Sequence, residues 1–120
     1  MIYDVIGINI WTRDLERLQI FYRDTLKLPL HSDHGDFVVF CFGGMRLNLG
    51  LHDEVEGATK DPYRIMINFG VQDIHSEHQR LVSKGVNFIR HPQKERWGGW
   101  VATFPDPDGN LLQLLDLPTG

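Results

Sequence analysis

The chain has 120 residues, of which 42% are hydrophobic and 23% charged, with a formal net charge of −4 at pH 7. That length suits one domain with enough core to fold without disulfides or a structural metal. The lone Cys41 excludes an intrachain disulfide and a cysteine-based zinc site, the net charge lacks the basic excess of a nucleic-acid binder, and no apolar run has the length of a membrane helix.

Residues Val5 to Trp11 alternate with period two, placing Ile6, Ile8 and Ile10 on one face and Gly7, Asn9 and Trp11 on the other, which predicts a strand. Asp14 is the expected N-cap of a helix whose stripe is Leu15, Leu18, Tyr22 and Leu26. Pro29 ends it, and Ser32 to Asp36 reads as a turn-rich stretch. Phe37 to Phe42 is an apolar strand, Gly43-Gly44 a two-residue hairpin turn, and Met45 to Leu51 the returning strand, with Arg46, Asn48 and Gly50 alternating against the apolar residues. Residues 52–63 are polar and acidic and form a connector. Ile65 to Val71 is a strand, Asp73 a second N-cap, Ile74, His78, Leu81 and Val82 a helix stripe, and Gly85 a C-terminal cap. Strands are then expected at Val86 to Ile89, Trp100 to Phe104 and Leu111 to Leu117, the last two joined by the turn Asp106-Pro107-Asp108-Gly109.

The two halves repeat each other. Asn9 and Asp14 correspond to Asn68 and Asp73 at an offset of 59, and Gly44 and Asn48 to Gly109 and Gln113 at an offset of 65. The chain therefore reads as an α+β fold of two βαβββ units, about 1–51 and about 64–120, within a single domain. Their eight strands are expected to curl into a cup. Asn9, Asn68, Asn48 and Gln113 become repeat-equivalent amides, each flanked by apolar neighbours, so alternation turns all four away from the packed face.

These residues resemble the vicinal oxygen chelate superfamily, which contains glyoxalase I, extradiol dioxygenases and bleomycin-resistance proteins. The opening similarity lies in Ile8, Ile10, Asp14, Leu15, Phe21, Tyr22, Leu26 and Leu28. The closing similarity lies in Trp97-Gly98, Phe104, Asp106-Pro107-Asp108-Gly109-Asn110 and Gln113-Leu114. The resemblance implies the glyoxalase/bleomycin-resistance/dioxygenase fold, often as a homodimer. Carried over, the metal positions of the family's metalloenzymes fall on Gly7, Asn48, Met66 and Gln113. None is His, Asp or Glu, so no metal site and no cofactor are expected. The metal-free members that this pattern is similar to are drug-binding proteins that sequester an antibiotic.

The expected function is therefore metal-free binding of a small molecule, an antibiotic being one class. The ligand-binding candidates are Asn9, Trp11, Arg46, Asn48, Asn68, Trp97, Trp100 and Gln113. Amides donate and accept, tryptophans stack planar rings, and Arg46 offers a cation to an anionic group. Gly98-Gly99, between two of the tryptophans, reads as a flexible turn. One alternative is a glyoxalase- or dioxygenase-like lyase or isomerase, using metal-free acid–base chemistry or a metal held by displaced histidines such as His34, His52 or His91. Another is an interaction module whose cup is filled by its own side chains. His75 and His78, three apart on the second helix, read as core or surface residues rather than a zinc pair. The N-terminus has no basic, apolar leader, so a cytoplasmic protein with neither nucleic-acid nor membrane partners is expected.

Overall fold

The computed structural model describes residues 1–118. It resolves into two compact units that divide between Gly57 and Ala58, so the acidic connector is shared between them. Each unit is one βαβββ repeat around its own four-stranded sheet.

In the first unit, β1 (Gly7–Thr12) leads into α1 (Leu15–Ile20), followed by β2 (Leu30–Asp33), β3 (Phe37–Phe42) and β4 (Met45–Leu51). The sheet order is β1-β4-β3-β2, with β1 parallel to β4 and the other pairs antiparallel. Asp14 caps α1 as expected, its carboxylate accepting from the Arg17 amide at 3.1 Å. Beyond Ile20 the helix widens into a π turn over Phe21–Thr25, where the Leu26 amide reaches back to the Phe21 carbonyl at 2.9 Å. One face of the sheet carries Leu47, Leu49, Val38 and Phe40, all buried together with Leu15, Leu18 and Tyr22 of the helical segment. Burying such aliphatic and aromatic side chains contributes roughly 1.5–3 kcal/mol each.

The second unit repeats this order with β5 (Ile67–Gly70), α2 (Ile74–Ser83), β6 (Arg90–Lys94), β7 (Trp100–Pro105) and β8 (Leu111–Asp116). Its sheet runs β5-β8-β7-β6, again with one parallel pair, β5 with β8. Asp73 caps α2 by accepting from the His75 and Ser76 amides at 3.2 and 3.3 Å. Gly85 closes the helix at φ +91°. The β7–β8 connection is built on Asp106, whose carboxylate accepts from the Asp108 amide and from both the backbone and side-chain N–H of Asn110 at 2.9–3.0 Å.

Two expectations are corrected here. The strand β2 was not expected and runs into the first two residues of the stretch read as turn-rich, and the strand expected at Val86 to Ile89 lies instead at Arg90–Lys94. Both are edge strands with a register shift, between Leu30 and Ser32 and between Arg90 and Gln93. An edge strand tolerates polar residues and Pro92 because one side of its backbone needs no ladder partner. β5 is also shorter than the expected Ile65 to Val71.

Candidate functional site

The strand registers arrange the face opposite the first unit's apolar layer in three cross-strand rows. They are Gly7–Arg46–Cys41, Asn9–Asn48–Val39 and Trp11–Gly50–Phe37. The middle row carries the polar pair. Asn48 Nδ2 donates to Asn9 Oδ1 at 3.0 Å. Asn48 Oδ1 is buried without a hydrogen-bond partner. In the third row the Trp11 ring lies on Gly50, where a Cβ would stand 2.6 Å from the ring. Trp11 is still 40% exposed, so one side of its ring remains available. Arg46, exposed at the start of β4, forms no ion pair among the described residues. Cys41 stands opposite Arg46 on β3 as a partly exposed free thiol.

Next to this face, the Trp11 ring meets His52 edge-on, with centroids 5.4 Å apart. His52 Nδ1 accepts from the Glu54 amide at 3.1 Å, which assigns the proton of a neutral ring to Nε2. Arg13, Leu51, His52 and Asp53 line an open hollow of about 480 Å³ here.

The second unit presents the equivalent row Asn68–Gln113–Thr103. Gln113 Nε2 donates to Asn68 Oδ1 at 2.9 Å, and Thr103 Oγ1 donates to Gln113 Oε1 at 3.0 Å. Neither remaining tryptophan joins this row. Trp100 pairs with Asp116 on the other sheet face, and its ring packs edge-on against His75 of α2 at 4.7 Å. Trp100 thus stands on the sheet face opposite the Asn68–Gln113 row. Trp97 is half exposed and folded over Gly99, where a Cβ would run into its ring. Gly98 and Gly99 lie in a turn in which the Glu95 amide bonds to the Gly99 carbonyl at 2.8 Å and the Gly98 amide to the Glu95 carbonyl at 3.0 Å.

With this architecture in view, residues 5–116 match the glyoxalase-like domain family. The chain belongs to that family, within the vicinal oxygen chelate superfamily. It is 25% identical over 125 aligned positions to the uncharacterized protein YraH of Bacillus subtilis strain 168, covering 94% of this chain and 98% of that one. A solved member of the glyoxalase/bleomycin resistance protein/dioxygenase superfamily from Sphaerobacter thermophilus superposes with a TM-score of 0.74 at 25% identity, covering 95% and 97% of the two chains. The lactoylglutathione lyase of Agrobacterium tumefaciens superposes equally, with a TM-score of 0.74 at 20% identity over 93% and 92%.

The superfamily's metal positions do not fit a divalent ion in this glyoxalase-like chain. Gly7 has no donor, and Met66 offers a thioether suited to soft ions. Asn48 and Gln113 are neutral amides with no carboxylate or imidazole beside them in their rows, and Gln113 Oε1 already accepts from Thr103. Among the described residues, no three or more His, Cys, Asp or Glu gather as a metal-binding group. Of the histidines considered as displaced ligands, His52 meets Trp11 at the border of the first unit's polar face, and the other two lie apart from the amide rows. His34 bonds Ser32 on β2, and His91 bonds His78. The alternation of β1 and β4 was readable in the sequence. The direct Asn9–Asn48 and Asn68–Gln113 bonds were not, because they depend on parallel pairing of strands far apart in the chain. The shared offsets of 59 and 65 were the available signal.

Proposed function

We propose that the protein is a homodimeric small-molecule binding protein that needs no metal, and that it takes a planar, polyfunctional ligand on the amide face of the first unit. The observation that carries this reading is the Asn9–Asn48 pair with its unpartnered Asn48 Oδ1, set between a half-open Trp11 ring and the unpaired Arg46. An indole face stacks a flat ring, amides recognise mixed donors and acceptors, and a guanidinium holds an anionic substituent. A heteroaromatic antibiotic with a carboxylate or amide substituent has this chemistry. The Asn68–Gln113 row of the second unit offers similar amides, but Thr103 has already closed it. It is therefore the secondary candidate.

The test is a tryptophan-fluorescence and thermal-shift screen of planar aromatic amides and carboxylates, with Trp11→Phe as the optical control. A ligand is expected whose signal depends on Trp11 and whose affinity falls about tenfold in Asn9→Leu. The melting temperature of that variant should stay within a few degrees of the wild type, because Asn9 is exposed. Sedimentation of the same protein should give twice the chain mass. Hits that are indifferent to both Trp11 and Asn9 would remove the amide face as the site.

A further inference from the structure

We propose that His78 on α2 and His91 on β6 form a two-histidine chelate for a divalent late first-row transition-metal ion, Cu²⁺ most tightly, and that the bound ion clips the edge strand β6 to α2. His78 Nε2 and His91 Nδ1 lie 2.9 Å apart, with the ring planes at 84°. Two imidazole nitrogens bound about 2.0–2.1 Å from one ion and subtending a right angle stand about 2.9 Å apart, whereas a tetrahedral angle requires about 3.4 Å. The pair therefore already has the cis spacing of a tetragonal or octahedral ion. Rotation of the two rings brings both lone pairs onto one point. Tetragonal preference and the intrinsic affinity order then favour Cu²⁺ over Ni²⁺, and both over Zn²⁺ in this geometry.

The surroundings suit a ligand pair. Without an ion, one ring donates its proton to the other. On chelation that ring carries its proton on the far nitrogen, so a neutral pair takes up the ion without net proton loss. Phe88 walls the pair, its ring 4.6 Å from that of His78 and 6.2 Å from that of His91, and it is itself seated on buried Phe104 at 5.1 Å. This sets an aromatic wall beside both ligands. His91 is exposed, so the remaining coordination positions open to water. The positions differ from the four at which the superfamily's metalloenzymes bind their ions.

A second histidine pair provides the internal control. His31 Nδ1 and His34 Nε2 both bond Ser32 Oγ, at 3.1 and 3.2 Å, so a hydroxyl already stands between them. The experiment titrates chelator-stripped, tag-free protein with CuCl₂, NiCl₂ and ZnCl₂ by calorimetry, with electron paramagnetic resonance on the Cu²⁺ form. One Cu²⁺ per chain with nitrogen hyperfine structure is expected, and the affinity order Cu²⁺ > Ni²⁺ > Zn²⁺. Losing a direct ligand should weaken Cu²⁺ at least as much as losing an outer partner does, by about tenfold or more, in both His91→Asn and His78→Gln. His34→Asn should leave it unchanged. Because His91 is exposed, His91→Asn should melt like the wild type without metal, and that variant decides the matter if His78→Gln folds poorly. Amide exchange across residues 90–94 should slow with Ni²⁺ in the wild type and not in His91→Asn. The chelate is overturned if His91→Asn binds Cu²⁺ within about twofold of the wild type, or if the loss falls on His34→Asn instead. Unchanged exchange in Ni²⁺-loaded wild type overturns the clip.

Discussion

The two units share a strand order and a register, yet they finish the same polar row differently. In the second unit Thr103 donates to Gln113, which donates to Asn68, and the chain of bonds is complete. In the first unit Asn48 donates to Asn9, but Val39 occupies the position equivalent to Thr103 and has no proton to give. Asn48 Oδ1 is left buried and unsatisfied. Such an acceptor destabilises a fold by roughly 1–3 kcal/mol. The next row differs too: Trp11–Gly50–Phe37 in the first unit is Gly70–Leu115–Val101 in the second. One copy of the repeat has a closed polar network beside aliphatic packing. The other has an open network beside an aromatic plate. Natural folds concentrate departures of this kind at functional surfaces, which is why the proposed ligand face is that of the first unit.

The largest effect that can break the comparison is at the aromatic plate. A Cβ on Gly50 would meet the Trp11 ring at 2.6 Å and Phe37 at 3.2 Å, whereas a Cβ on Gly70 would meet nothing within 4 Å. Gly50→Ala is expected to destabilise the protein by about 2 kcal/mol and to alter Trp11 fluorescence, because overpacking forces the ring off its seat. Gly70→Ala is expected to be neutral or slightly stabilising, since alanine narrows the unfolded ensemble and nothing is displaced. Urea denaturation of the two variants tests both signs. Equal midpoints would mean that the Trp11–Gly50 contact does not distinguish the units.

Thr103→Val comes next in size. It is close to isosteric, and it converts the closed row into a copy of the open one. Thr103 is only 5% exposed, so the Gln113 oxygen would gain little from water in compensation. A loss of about 1.5 kcal/mol is expected, measured as a lower denaturant midpoint at unchanged slope. No loss would show that Gln113 Oε1 does not depend on Thr103.

Much of this contrast was legible in the residues alone. Asn9, Asn48, Asn68 and Gln113 stand out because each interrupts an apolar alternation, and the two offsets relate them in pairs. Both helix caps, Asp14 and Asp73, follow from local chemistry, since a carboxylate before a helix stripe has free amides to accept from. The edge strands were obscured by their own surroundings. β2 carries His31, Ser32 and Asp33, and β6 contains Pro92, because a strand paired on one side is free of the pattern that a central strand must obey. Trp100 was legible as a strand residue but not as a partner of His75, because its face depends on the register with Asp116. The His78–His91 contact was hidden for the same reason, since it requires the displaced β6.

The smallest and most diagnostic change is Val39→Thr, which copies the second unit's solution into the first. Val39 is 4% exposed and directly opposite Asn48, as Thr103 is opposite Gln113. If the open acceptor is what separates the two rows, the new hydroxyl donates to Asn48 Oδ1 and the protein gains about 1 kcal/mol. If it finds no acceptor, a buried hydroxyl replaces a methyl and stability falls by a similar amount. The sign of the midpoint shift therefore reports directly on Asn48. The same variant sharpens the functional assignment. A ligand that hydrogen-bonds to Asn48 Oδ1 would now compete with the introduced hydroxyl for it. Higher stability together with weaker ligand binding would mark the unsatisfied acceptor as kept for the ligand. Higher stability with unchanged binding would leave the recognition to Asn9, Trp11 and Arg46.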